Sequence, residues 1–135
     1  MSSPGELPKI VVTAAVIRRG DAFLVTRRQQ GVHLEGYWEF PGGKCDDGES
    51  LEACLQREIR EELGVDVRTG REVLATEHAY SERVVELHFL ECELLGNPRP
   101  LLGQEMRWVQ RTELRTLTFP PADDELIDLL EHLLP

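Results

Sequence analysis

From Lys9 to Thr26 the chain is apolar and rich in β-branched residues on both sides of a short polar break. KIVVTAAVI and AFLVT are separated by RRGD, and this pattern predicts a β-hairpin. HLEGYWEFPGG, residues 33 to 43, brings aromatics and then Pro41, Gly42 and Gly43, which predicts a strand or extended segment ending in a tight loop. LEACLQREIREEL, residues 51 to 63, contains neither Gly nor Pro and repeats Leu51, Leu55, Ile59 and Leu63 along one side. Ser50 is placed to cap that helix, Glu52 sits in its first turn and Gly64 is placed to stop it. REVLATEHAY and RVVELHFLECEL predict two further strands about a turn at Ser81 and Glu82. GNPRPLLG reads as a loop, MRWVQ as a short strand and RTELRTL as a helical turn. FPPADD then feeds a last helix with Leu126, Ile127, Leu129, Leu130, Leu133 and Leu134 on its apolar face and Asp123 or Asp124 as its cap. Because this order is not strict βαβ alternation, the expected fold class is α/β, a mixed sheet covered by helices on both sides.

A chain of 135 residues with 41% apolar composition suits one domain, taken here as residues 9–135 behind an N-terminal tail of residues 1–8. The formal charge of -10 repels duplex DNA and long RNA, so no polymeric nucleic acid is expected as a partner. Cys45, Cys54 and Cys92 form no CxxC pair and are odd in number, which suits a reducing compartment rather than a disulfide framework. MSSPGELP lacks the basic start and apolar run of a signal peptide, and IVVTAAVI is too short to span a bilayer. A cytoplasmic protein with no membrane partner is expected.

The acidic helix changes this picture. At about 100 degrees per residue, Glu58 and Glu62 fall within about 20 degrees of Leu51 on the helical wheel. Glu61 lies further round on the same side, beside Cys54, whereas Glu52, Gln56 and Arg60 point to water. A solvated acidic face accounts for Glu52 but poorly for Glu58 and Glu62, because neighbouring carboxylates on a helix repel one another and lose hydration when partly buried. A hard divalent cation resolves the conflict, since magnesium takes carboxylate and carbonyl oxygens as ligands.

Gly43, five residues, Glu49, seven residues, and then Arg57, Glu58, Ile59, Arg60, Glu61, Glu62, Leu63, Gly64 and Val65 resemble the Nudix box without a departure. WEFPGGK before it and FPPAD near the C-terminus look like the MutT-type nucleoside triphosphate pyrophosphohydrolases. The resemblance implies the Nudix fold, an α/β/α sandwich around a mixed sheet, with Mg2+ as cofactor and Mn2+ as a substitute for it. It implies Glu58, Glu61, Glu62 and a backbone carbonyl of the glycine loop, at Gly43, as metal ligands. Arg57 would orient the glutamates, Glu49 would support the loop-helix junction and Lys44 would contact a phosphate. The implied reaction is (d)NTP plus water giving (d)NMP plus pyrophosphate, by substitution at the β-phosphorus. No covalent intermediate is needed, and none of Cys45, Cys54, Ser50 or Ser81 lies in a nucleophile motif. For the general base the resemblance points to Glu105 in GQEMRWV, with a box glutamate as the alternative.

Arg28, Phe40 and Asp123 match positions that line the nucleobase pocket in MutT-type relatives. Asp123 departs from the MutT pattern, which has Asn there, and an ionised Asp only accepts hydrogen bonds. That suits the exocyclic amine of cytosine and resembles the CTP pyrophosphohydrolase branch, which also reads PAD. A protonated Asp, or one accepting from a purine, keeps 8-oxo-dGTP open. The expected substrate is a small nucleotide, (d)CTP, a modified pyrimidine or 8-oxo-dGTP, and the expected role is to sanitise or balance the nucleotide pool. ADP-ribose or a dinucleoside polyphosphate is the alternative substrate, and a non-catalytic nucleotide sensor the alternative class. The chain is expected as a monomer or homodimer. His33, His78, His88 and His132 show no metal-ligand spacing.

Overall fold

The centre of the sheet is β1 (Lys9–Arg19), whose residues 13–17 are buried on both faces, as a β-branched run without polar alternation requires. The computed structural model describes residues 7–132. β2 (Ala22–Arg27) returns antiparallel to β1, completing the expected hairpin. β3 (Trp38–Glu39) pairs with β2, and β6 (Val84–Leu94) lies parallel to β1, with β5 (Val67–Ala79) antiparallel outside it. The resulting order is β3-β2-β1-β6-β5, with β4 (Gly42–Lys44) on β1 and β7 (Met106–Gln110) on β2. One parallel pairing among antiparallel ones makes the sheet mixed, as expected.

Two helices cover the two faces. α1 (Leu51–Leu63) packs Leu55, Ile59 and Leu63 against Ala15, Ile17, Leu24 and Leu90. α2 (Asp124–Glu131) packs Leu126, Ile127 and Leu130 against a cluster that includes Phe23, Phe40 and Phe89. The alternation of Ala14 and Val16 with Ala15 and Ile17 assigns each residue of β1 to one cluster or the other. α1 begins where the Ser50 hydroxyl accepts from the Ala53 amide at 3.1 Å and ends at Gly64, with φ of 61°. Beyond it the loop of residues 96–103 crosses the helix end, where Arg99 N–H donates to the Leu63 carbonyl and Leu101 N–H to that of Glu62. These bonds satisfy carbonyls that a helix terminus otherwise leaves open.

Several expectations are corrected. Gly42 and Gly43 form no loop; they run as a strand beside Thr13 and Ala14, an approach open to Gly42 because it has no side chain, since a Cβ there would lie 2.0 Å from the Thr13 carbonyl oxygen. β5 starts at Val67, ahead of the expected Arg71, since register shifts between Thr69, Glu72 and Leu74 break the alternation that marks a strand. Leu129 is 42% exposed, off the apolar face, and Leu133 and Leu134 lie outside the described residues. Asp123 stands at the start of α2 but makes no side-chain capping bond, and Asp124 is already helical. Cys45 and Cys54 are joined by a disulfide, with Cα atoms 5.2 Å apart, leaving Cys92 as the free thiol. The cysteine count carried no sign of this pair, which only the docking of β4 on α1 brings together. Among the described residues no helix is long and apolar enough to cross a membrane.

Candidate active site

Arg57 organises the acidic end of α1. Its Nε and Nη2 donate to the two oxygens of Glu49 at 2.8 and 2.9 Å, a fork that fixes the guanidinium plane. Nη1 then donates to Glu58 at 2.9 Å and to Glu61 at 3.3 Å, and Nη2 reaches the Lys44 carbonyl at 3.1 Å. One side chain therefore ties Glu49 and the Lys44 carbonyl to Glu58 and Glu61. Glu49 also accepts from the Asp46 amide, and with Arg57 beside it the carboxyl is held down to about 2.

Glu58 and Glu62 experience the opposite. Burial raises the Glu58 carboxyl against the pull of Arg57. Burial first, and then the charges of Glu39 and Glu58, push Glu62 up to about 8, with the Gly42 amide opposing. The Glu62 Oε2 atom is buried and has no hydrogen-bond partner. Gly43 lies close against Glu58: a Cβ there would stand 2.5 Å from the Glu58 carboxylate and displace it. These residues fit a divalent cation. They offer oxygen donors only, one of them orphaned, and suffer like-charge crowding that a cation relieves. Among the described residues no three such side chains converge as a closed ligand set, and Arg57 occupies an oxygen each of Glu58 and Glu61.

Gly43 and Lys44 line a cleft of about 440 Å³, whose wall also holds Arg28, Glu39, Phe40 and Asp123. The box glutamates adjoin this cleft behind Gly43 rather than line it. Phe40 is buried, stacked on Phe119 at 5.3 Å and edge-on to Phe89 at 6.2 Å, so its ring is part of the core as well as of the wall. Arg28 is fixed by Glu39 at 3.0 Å and by the His33 carbonyl. Asp123 is 6% exposed; burial first, then Glu39 and Asp124, push its carboxyl up to about 7. Tyr80 and Arg83, in the β5–β6 turn, complete the rim.

The structure thus gathers Arg57, Glu58, Glu61 and Glu62 about the Gly42–Lys44 strand, with the Glu61 side chain exposed, and places Arg28, Phe40 and Asp123 in the wall of the cleft that this strand also lines. It does not bring Glu105 there: that side chain is about half exposed and pairs with Arg27 at 3.5 Å and Arg107 at 3.2 Å. Glu39 is an addition to the expected set, close enough to raise both Glu62 and Asp123. Its one signal in the sequence is a charge set between the buried aromatics Trp38 and Phe40. A larger cleft of about 510 Å³ opens at the far ends of β1 and β6. Arg68 pairs there with Glu93 and Arg71 with Glu91, and neither Gly43 nor Lys44 lies in its lining, whereas both line the smaller cleft with Gly43 against the Glu58 carboxylate, so the smaller cleft is the candidate site.

Residues 12–129 match the NUDIX domain family. The chain is 36% identical over 124 residues to an 8-oxo-dGTP diphosphatase of Haemophilus influenzae, covering 90% of each chain. It is 32% identical over 120 residues to the CTP pyrophosphohydrolase of Escherichia coli, covering 88% of this chain and 89% of the relative. The solution structure of the E. coli ORF135 protein superposes with a TM-score of 0.83 at 31% identity, over 94% of this chain and 91% of that one.

Proposed function

We propose, because this chain belongs to the NUDIX domain family as a MutT-like hydrolase, that residues 9–135 form one catalytic domain that cleaves (d)NTP with water to (d)NMP and pyrophosphate. Nudix hydrolases act on small nucleotides with divalent metal ions, and Mg2+ is the ion proposed here, with Mn2+ as a substitute. The observation that carries the reading is the buried, unpartnered Glu62 carboxylate oxygen, crowded by Glu58 behind Gly43, a glycine that lines the same cleft as Asp123.

Glu58, Glu61, Glu62 and the Gly43 carbonyl would hold the cation, which when bound supplies positive charge to neutralise the triphosphate and polarise its phosphoryl oxygens. The chain's own groups set the rest. Arg57 holds Glu58 and Glu61 in place and is itself held by Glu49. Lys44, exposed in the cleft lining, meets the phosphate chain. Phe40 provides a flat apolar wall for the base, Arg28 lines the cleft beside it, and Asp123 offers a hydrogen-bonding carboxyl. With its carboxyl at about 7, Asp123 accepts from an exocyclic amine when ionised and donates when protonated. This supports (d)CTP or a modified pyrimidine, and 8-oxo-dGTP as the second reading. A box glutamate is the proposed general base, because Glu105 faces Arg27 and Arg107.

The proposed role is pool sanitising or balancing in the cytoplasm, by a monomer or homodimer. Incubation with Mg2+ and CTP, dCTP, 5-methyl-dCTP, dGTP, 8-oxo-dGTP, ADP-ribose and a dinucleoside polyphosphate, with both products identified, tests it. Release of pyrophosphate from one triphosphate is expected; cleavage of ADP-ribose alone, or of nothing, refutes the reading.

A further inference from the structure

We propose that the Cys45–Cys54 disulfide is a redox-controlled tie between the glycine strand and the cation-holding helix, opened by exchange with a dithiol and closed by a disulfide oxidant such as oxidised glutathione. The inference rests on Glu58, Glu61, Glu62 and Gly43 being the holders of a divalent cation.

Its position is the argument. Cys45 is the second residue after Gly43, and Cys54 lies one helical turn ahead of Glu58. Cys54 is fully buried, with Sγ 3.2 Å from the Thr13 hydroxyl and 3.8 Å from the Gly43 carbonyl oxygen, and Thr13 is the residue of β1 that faces Gly43. The bridge therefore backs the carbonyl that would hold the cation, at the contact where a Cβ on Gly43 would displace the Glu58 carboxylate. Cys45 is half-buried, so its sulfur is the one a reagent reaches. Opening the bridge leaves the fold held: β4 keeps its pairing with β1, the Cys45 amide donates to the Val11 carbonyl, and Arg57 still reaches the Lys44 carbonyl. What is lost is the covalent register between Gly43 and Glu58. In a cytoplasmic protein such bridges are transient, catalytic or sensing rather than structural.

The step balances as thiol–disulfide exchange. A thiolate of the dithiol bonds to the Cys45 sulfur as the Cys45–Cys54 bond breaks, and Cys54 leaves as a thiolate that takes up a proton. The reagent's second thiol then attacks the mixed disulfide at the reagent's own sulfur, releasing the Cys45 thiol. The dithiol is oxidised to its disulfide, and the bridge is reduced to two thiols. In the reverse direction, oxidised glutathione yields two glutathione thiols and restores the bridge.

The test is Mn2+ binding to the full chain, followed by the resonance of free Mn2+, after treatment with oxidised glutathione and again after dithiothreitol, with the thiols counted by mass spectrometry in each state. Opening the bridge is expected to weaken Mn2+ binding about tenfold, the lower end of what supports behind metal ligands contribute. Cys45→Ala should match the reduced wild type and ignore reductant, while Cys92→Ala, which alters the unbridged thiol, should keep the response. Equal Mn2+ affinity with the bridge open and closed overturns the inference and leaves the metal reading intact, as does failure of Cys45 and Cys54 to pair under oxidised glutathione. Absence of Mn2+ binding in both states refutes the metal reading itself, and the inference with it.

Discussion

Replacing Asp123 by Asn tests the cleft's electrostatics without removing an atom of its shape. The carboxyl is 6% exposed and its burial, with Glu39 and Asp124 nearby, raises it from an ordinary 3.8 to about 7. The unfolded chain releases this proton near 3.8 and the folded chain near 7, so between those values the folded state holds more protons. Stability contributed by this group is fully present below 3.8 and is lost as pH rises to about 7, levelling above it. At about 1.4 kcal/mol per pKa unit, ionised Asp123 costs the fold on the order of 4 kcal/mol, and about 2–4 kcal/mol once side chains and water relax around it. Asn removes that charge, so the variant should equal the wild type near pH 4 and exceed it by about 2–4 kcal/mol at pH 8. Urea unfolding followed through Trp38 and Trp108 fluorescence at several pH values measures the difference. Equal stability at pH 8, or a difference that does not change with pH, refutes the reasoning. Because an amide donates and accepts at once, the same variant should also shift the ratio of turnover between dCTP and 8-oxo-dGTP.

Gly43→Ala puts a methyl group 2.5 Å from the Glu58 carboxylate, and turnover should fall about a hundredfold, as small displacements at a reacting site do, while circular dichroism shows the sheet intact. Arg57→Lys keeps the charge but loses the fork to Glu49 and the simultaneous reach to Glu58 and Glu61; a drop in turnover of about 10- to 100-fold is expected, with a raised Mg2+ requirement in steady-state assays. Glu105→Gln removes exposed pairs with Arg27 and Arg107 and should change turnover by less than about threefold; a loss of a hundredfold would instead make Glu105 the base and require its loop to move.

The acidic helix was fully legible, because its signals are local: a capping Ser50, an apolar stripe and a stopping Gly64 within one short stretch. The crowding of Glu58 and Glu62 was legible from the same wheel, and burial does raise both carboxyls. What escaped the sequence depends on pairing across the fold. Nothing local shows that Gly42 and Gly43 lie as a strand against Thr13, and periodicity fails where β5 is bulged near Glu72. The Cys45–Cys54 bridge is set by the docking of β4 on α1, which cysteine spacing does not encode. Glu39 is hidden for the same reason: its importance comes from its charge acting on both Glu62 and Asp123, two residues far from it and from each other in the chain.

The most direct measurement is Mg2+-dependent turnover of the triphosphate identified in the substrate panel, for the wild type and Glu62→Gln side by side, with calorimetric Mg2+ binding and urea midpoints recorded on both. The proposed role of Glu62 in holding the cation predicts that the variant binds Mg2+ more weakly and loses at least about a hundredfold in turnover, with a urea midpoint no lower than that of the wild type. Full turnover by a folded Glu62→Gln protein would contradict the assignment of this acidic helix as the catalytic centre.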